Sequence, residues 1–187
     1  QFMENIQSTL DKLASQSDRR TSVFDIEIVR LQNSRLTLSG RLLDESQLEA
    51  LAHHFATWKL DTGSIQILRK QDLPRMYVAT NLTGLYEKST FSVPLSSELC
   101  YGTELEILEE QGRWVFIRQE DGYLGWAYKP YLTEKRPAEA THLVLTSSYG
   151  LRIRPDRESE IVTRVVSGTG VCVEEKQGEW ARVAAAR

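Results

Sequence analysis

An internal repeat is the feature that most constrains this sequence of 187 residues. Aligned with itself at an offset of 66 positions, the chain matches without a gap over its second half. The identical pairs include Gly84/Gly150, Leu85/Leu151, Gly102/Gly168, Gly112/Gly178 and Trp114/Trp180. Glycines, turn residues and a tryptophan are identical between the two aligned segments, which indicates a tandem duplication.

Each copy has the pattern of short β-strands. Apolar and polar residues alternate at 104–108 and 171–173, as they do along a half-buried strand. A Gln-Gly pair follows each of these segments, which is typical of a hairpin turn because glycine adopts positive φ without strain. We therefore expect two small β-barrels, at residues 76–133 and 140–187. The second lacks a counterpart of the segment at 122–126, so we expect the natural polypeptide to continue beyond Arg187.

The first 72 residues follow a different pattern. Helical spacing separates the apolar residues Ile6, Leu10 and Leu13. Alternation at 24–28 and again at 36–38 predicts two strands. Asp44, with Gln47 three positions later, predicts the capping box of a second helix, and one more alternating segment follows it. The order α-β-β-α-β over residues 1–72 indicates a separate α+β domain. Charged, proline-containing linkers at 69–74 and 134–139 fit these boundaries.

Two runs of residues carry resemblances to known domains. Residues 101–114 (YGTELEILEEQGRW), followed by 121–126 (DGYLGW), resemble a bacterial SH3 domain. Residues 36–41 (LTLSGR), followed by 44–48 (DESQL), resemble a BON domain. The first resemblance implies two SH3-like barrels, and the second implies an envelope- or lipid-associated N-terminal domain. The residues of that domain leave a plain α+β packing module equally open.

Composition excludes several classes of protein. The chain has 23 Lys and Arg against 26 Asp and Glu, a net charge of −3, whereas a nucleic-acid binder needs a concentrated basic face. No apolar stretch has the length of a membrane span. Two cysteines do not make a disulfide scaffold. Gln1 and Phe2 before Met3 are typical of a tag remnant; if Met3 is the native start there is no secretory signal, and if it is internal a signal has been removed.

The residues that commonly carry chemistry do not form a site. His53 and His54 are neighbours on the predicted second helix, so they point in different directions and cannot share a metal in the i, i+4 manner. Cys100 has no histidine in its own unit to activate it, and its repeat partner Val166 indicates a packing position. Cys172 alternates with valines in a strand, so we expect no disulfide between the two cysteines. We predict no catalytic residue, no metal site and no cofactor.

The aromatic residues are the exception. All seven tyrosines follow Pro74. Because Trp114 and Trp180 are matched between the copies, we expect both in barrel cores. Tyr86, Tyr101 and Tyr123 have no aromatic partner in the second copy, so they are candidates for a binding face. Packing between domains is the equally weighted alternative.

A sharper resemblance concerns the first barrel. Residues 99–103 (LCYGT), then 109–114 and 122–127, resemble the first SH3 domain of γ-D-glutamyl-L-diamino acid endopeptidases, which cut murein peptides with an NlpC-type cysteine peptidase domain. The resemblance implies that Tyr101 helps to hold the free N-terminal amine of a substrate peptide. We expect Tyr101 to be partly exposed, with Tyr86 and Glu87 within reach to supply an aromatic face and a negative charge.

These features lead to two functional hypotheses. The Asp-Cys-Ser-Gly nucleophile motif of that family is absent, so this chain is expected to be no enzyme by itself. It is then the targeting and substrate-gating region of a murein peptide hydrolase, with a C-terminal catalytic domain as its partner and murein peptide or peptidoglycan as its ligand. The alternative is a stand-alone envelope or peptide-binding scaffold. The expected location is the cell envelope or outside the cell, or the cytoplasm if Met3 is the native start.

Overall fold

The computed structural model of the chain describes residues 2–184, with the Phe2 side chain left aside. The chain divides into two compact units. The first runs to Leu73 and includes Gly122–Leu124, and the second contains Pro74–Asp121 and the part that begins at Gly125. Most of the regular structure is strand, as the all-β and α+β prediction requires. No helix among the described residues is long and apolar enough to cross a membrane.

The first unit has the predicted order α-β-β-α-β. Its elements are α1 (Phe2–Ser15), β1 (Phe24–Gln32), β2 (Arg35–Leu42), α2 (Glu45–His54) and β3 (Lys59–Ile67). Strand β2 is central, antiparallel to β1 and parallel to β3. The β1–β2 turn places Asn33 and Ser34 at positive φ, which closes the hairpin tightly.

Helix α1 covers the sheet with the apolar residues that the sequence placed on one face. Ile6, Leu10 and Leu13 are buried against Leu36 and Leu38 of the central strand. Helix α2 begins as predicted, because the Gln47 side chain accepts a hydrogen bond of 3.0 Å from the Asp44 backbone N–H.

Gly40 lies where β2 approaches β1 most closely. Its φ is +132°, a conformation that L side chains rarely adopt. A Cβ atom on Gly40 would lie 1.9 Å from the Asp25 carbonyl oxygen, which belongs to the paired strand. The central strand therefore requires glycine at this position.

We expect Gly40→Ala to destabilise the first unit by at least about 3 kcal/mol, because it adds backbone strain and a clash with a neighbouring strand. Gly63→Ala is the matched control, since its nearest contact would be 3.5 Å and its φ is ordinary. Denaturant unfolding with hydrogen exchange read on residues 24–42 measures the effect. Equal stability of the two variants would contradict the assignment.

The second unit begins with one barrel-forming sheet. Its strands are β4 (Arg75–Val78), β5 (Leu82–Tyr86), β6 (Leu95–Cys100), β7 (Glu104–Gln111), β8 (Trp114–Arg118), β9 (Leu124–Tyr128) and β10 (Leu132–Thr133), with a 3-10 turn at Lys129–Tyr131. They are ordered β10-β4-β7-β8-β9-β5-β6. The core between them contains Val78, Leu85, Leu105, Val115 and Ile117, all fully buried.

A second set of strands follows at the predicted offset. These are β11 (His142–Leu143), β12 (Ser148–Arg152), β13 (Ile161–Val166), β14 (Gly170–Gln177) and β15 (Trp180–Ala184). The bounds of β5, β6 and β7 recur in β12, β13 and β14 at 66 positions. The register recurs too, since Leu82 pairs with Cys100 as Ser148 pairs with Val166.

The second set buries less of its apolar surface than the first. Val165 is buried like its counterpart Leu99, whereas Leu145 and Val162 are 87% and 63% exposed. The strands form a three-stranded sheet, β11-β14-β15, and the β12–β13 pair.

Candidate functional site

Strand β8 turns its tryptophan away from the barrel core. The hairpin between β7 and β8 closes at the Gln111–Trp114 pair, with Gly112 at φ +60° in the turn. Val115 and Ile117 are fully buried, so Trp114 lies on the opposite face of the strand and is only half-buried. The expectation that Trp114 belongs to the core is therefore wrong.

Trp114 and four further aromatic side chains form a group on the outside of the first barrel. We call this group the aromatic cluster: Tyr86, Phe91, Trp114, Tyr128 and Tyr131. The Phe91 ring lies 4.7 Å from Trp114 and 5.0 Å from Tyr128, centroid to centroid. Tyr86 meets both Phe91 and Trp114 edge-on, at 5.4 and 5.5 Å. Tyr131 extends the cluster, 5.1 Å from Tyr128. Such tilted contacts are the favourable geometry for aromatic rings.

The aromatic cluster is open to solvent and bordered by charge. Phe91 is 54% exposed and Tyr131 is 41% exposed. The Arg113 guanidinium lies 5.1 Å from the Tyr128 ring centroid, within cation–π range. Lys129 forms an ion pair of 2.6 Å with Glu110. The surface therefore offers apolar ring faces, phenol hydroxyls and charged groups to a ligand.

Gly84 creates the space that Tyr86 occupies. A Cβ atom on Gly84 would lie 2.8 Å from two ring atoms of Tyr86 and 2.3 Å from Leu95 Cδ2. The bare backbone at this position leaves room for the Tyr86 ring over β5. This explains physically why a glycine stands in the middle of a strand.

One of the four predicted site residues belongs to the aromatic cluster. Tyr86 belongs to the aromatic cluster, and Glu87 follows it with an exposed side chain. Tyr101 is half-buried, as expected, and its N–H donates a hydrogen bond of 3.2 Å to the Asn81 carbonyl oxygen. Since Asn81 precedes β5 and Tyr86 ends it, Tyr101 and Tyr86 lie at opposite ends of the β5–β6 hairpin. They are about 15 Å apart at the usual strand rise. Tyr101 is not within reach of Glu87, contrary to the expectation from the sequence.

Tyr123 lies with the first unit. The N–H of the next residue, Leu124, donates a hydrogen bond of 2.8 Å to the Arg20 carbonyl oxygen. The Arg20 guanidinium lies 5.9 Å from the Tyr123 ring centroid. Tyr123 is half-buried.

The same arginine perturbs a neighbouring carboxylate. Hydrogen bonds from the Arg20 side chain and backbone N–H lower the pKa of Asp18 from 3.8 to about 2. A lowered pKa means that the ionised carboxylate stabilises the fold above about pH 4. This contribution is lost as the pH falls through about 2.

We expect Arg20→Gln to move the Asp18 pKa upward toward 3.8, because the larger hydrogen-bonding contribution comes from the side chain. Arg19→Gln, which removes the neighbouring arginine, should leave that pKa near 2. An NMR titration of the Asp18 carboxyl carbon measures both. An unchanged Asp18 pKa in Arg20→Gln would contradict this cause.

The other candidates for chemistry remain apart. His53 and His54 are exposed on α2, with ring centroids 6.0 Å apart. Cys100 and Cys172 are both free and half-buried. Within residues 2–184, no group of three or more His, Cys, Asp or Glu side chains is arranged to hold a metal ion.

Comparison with known proteins identifies the class of domain that carries the aromatic cluster. Residues 85–127 match the family described as the bacterial dipeptidyl-peptidase Sh3 domain. This segment is therefore a bacterial SH3 domain, which points to a binding or targeting module. Tyr86, Phe91 and Trp114 lie inside the matched segment, and Tyr128 and Tyr131 follow it. No curated protein matches the chain.

Phe91, Trp114, Tyr128 and Tyr131 were not predicted as site residues. For two of them the sequence held a usable signal. Trp114 precedes Val115 in β8, and Tyr128 follows Ala127 in β9. Because neighbouring side chains of a strand point to opposite faces, burial of Val115 and Ala127 turns the two aromatic residues outward. Phe91 lies between strands, where alternation gives no guidance.

Proposed function

We propose that this chain is the non-catalytic binding region of a murein peptide hydrolase, and that the first barrel binds a peptidoglycan-derived peptide on the aromatic cluster. The observation that supports this most is the exposed group of rings centred on Trp114. Large exposed apolar patches on small domains commonly mark ligand or protein contacts. The peptidase-associated name of the matched SH3 family points in the same direction.

The cluster has the groups that a short peptide needs. Ring faces pack against side-chain methylenes and the peptide plane, and the phenols of Tyr86 and Tyr131 offer hydroxyls to its amides. The exposed Glu87 carboxylate, next to Tyr86, supplies a negative charge for an N-terminal ammonium. A peptide whose first residue lies beside Glu87 satisfies both requirements.

The proposal includes the architecture around this barrel. Residues 76–133 and 140–187 are tandem copies of one barrel, supported by the recurrence of strand bounds and register at 66 positions. Residues 1–72 form a BON-like domain, supported by the order α-β-β-α-β. The cell envelope or the exterior is the location that suits a murein ligand.

We expect Phe91→Ala to weaken binding of a murein tetrapeptide by about tenfold or more, because Phe91 is the most exposed ring of the aromatic cluster and has three close aromatic neighbours. Its exposure means that the barrel core is unaffected. Titration calorimetry on the full chain measures the affinity.

Leu145→Ala is the matched control, since Leu145 is an exposed apolar residue of the second barrel. It should bind the tetrapeptide as the parent chain does. The proposed function is wrong if the parent chain does not bind the peptide, or if both variants bind it equally well.

A second pair of variants locates the ligand's amine. The resemblance to the endopeptidases assigns this contact to Tyr101, whereas the position of Glu87 next to the aromatic cluster favours Glu87. We expect Glu87→Gln to weaken binding of the free peptide by about fivefold and to leave its N-acetylated form unaffected, since acetylation removes the charge that Glu87 attracts.

Glu120→Gln removes another exposed carboxylate and is the control. If Tyr101→Ala, and not Glu87→Gln, abolishes the preference for the free amine, the ligand's amine lies at the other end of the β5–β6 hairpin. The same affinity measurements on free and acetylated peptide decide between the two residues.

A further inference from the structure

The second barrel contains a surface cavity of about 450 Å³. Three arginines line it, together with two aromatic residues and one acidic residue: Arg152, Arg157, Arg164, Tyr149, Trp180 and Glu179. Gly150 lies directly opposite Arg164 in the β12–β13 register, so this part of the wall carries no side chain on β12. The cavity therefore combines positive charge with aromatic walls.

This cavity corresponds to the aromatic cluster of the first barrel. At the offset of 66 positions, Trp180 stands for Trp114, Arg152 for Tyr86 and Arg157 for Phe91. The strands that hold Trp180 and Arg152 have the same bounds as those that hold Trp114 and Tyr86. The tryptophan is kept, and two of the three rings packed against it in the first barrel are replaced by guanidinium groups.

The arginines differ in how they are already engaged. Arg157 forms an exposed ion pair of 2.7 Å with Glu179, and Arg152 donates a hydrogen bond to the Ser159 carbonyl oxygen. Arg164 is exposed, and no described residue forms an ion pair with it. Three positive charges against one negative charge leave the cavity with an excess of two, and one guanidinium is available to an anion.

We propose that this cavity of the second barrel binds the carboxylates of an acidic peptide. A guanidinium matches a carboxylate with two parallel hydrogen bonds. The walls are partly apolar, because they include Tyr149, Trp180 and Ile161. Apolar walls can contact the carbon skeleton of a peptide, whereas free phosphate has no apolar part to contact them. The proposal rests on the peptide-binding function above and deepens it, because a γ-glutamyl linkage leaves the α-carboxylate of glutamate free.

The first test removes the available guanidinium. We expect Arg164→Ala to weaken binding of the murein tetrapeptide, and of a triglutamate peptide, by about tenfold, the value of one charge-assisted hydrogen bond. Arg154→Ala is the matched control, because Arg154 is an exposed arginine of the same barrel outside the cavity. Its effect should stay within about twofold.

The second test makes binding stronger. Glu179→Gln removes the negative charge of the cavity and releases Arg157, so affinity for both peptides should rise several-fold. Glu158→Gln removes an exposed carboxylate of the same barrel that does not line the cavity, and should leave affinity unchanged. A gain of affinity cannot result from unfolding.

The choice of ligands separates the possible failures. The proposal is wrong if the peptide still binds after its carboxylates are converted to amides. It is also wrong if inorganic phosphate at equal concentration competes with the peptide. If Phe91→Ala loses peptide binding and Arg164→Ala has no effect, the cavity proposal is wrong and the proposed function stands. If triglutamate binds through Arg164 and the murein peptide does not bind, the cavity does bind acidic peptides and the proposed murein function is wrong.

Discussion

The alternation of side chains along β7 and β8 is the constraint on which the first barrel depends. Val115 and Ile117 must be buried to complete the core, and the short turn at Gly112 fixes which residues of the two strands pair. With that register, Trp114 has to face outward. The buried core residues of β8 and Trp114, around which the aromatic cluster forms, thus lie on opposite faces of the same strand.

The same constraint operates in the second set of strands. Gly168 and Gly178 adopt the positive φ values of their counterparts Gly102 and Gly112, so the turns are preserved. The strand bulges recur as well, after Ile107 in one hairpin and after Val173 in the other. The two sets of strands therefore share the backbone features that set the strand register, although their outward side chains differ. An outer surface is free to change because it contributes little to the core.

Much of the fold could be predicted from the sequence, because its signals are local. Periodicity located the helices and strands of the first unit, and the gapless repeat located strands β12 to β15. The site was harder to predict, because it depends on register across the β5–β6 hairpin. Tyr86 and Tyr101 are close in sequence, yet the hairpin separates them, and no local pattern reveals the loop that contains Phe91. Tyr123 faces Arg20, which is more than a hundred positions away in the sequence.

The changes between the two outer faces are correlated in charge. At the offset of 66 positions, Glu98 is replaced by Arg164 and Arg113 is replaced by Glu179. In the first barrel Arg113 lies over an aromatic ring, while Glu179 pairs with the arginine that stands where Phe91 would be. The replacement of Arg113 by Glu179 thus accompanies the replacement of Phe91 by Arg157, and the two new side chains form an ion pair. The outer face of the first barrel presents tilted and edge-on rings, and the second set of strands presents guanidinium groups. A ligand with apolar parts and several carboxylates can contact both surfaces.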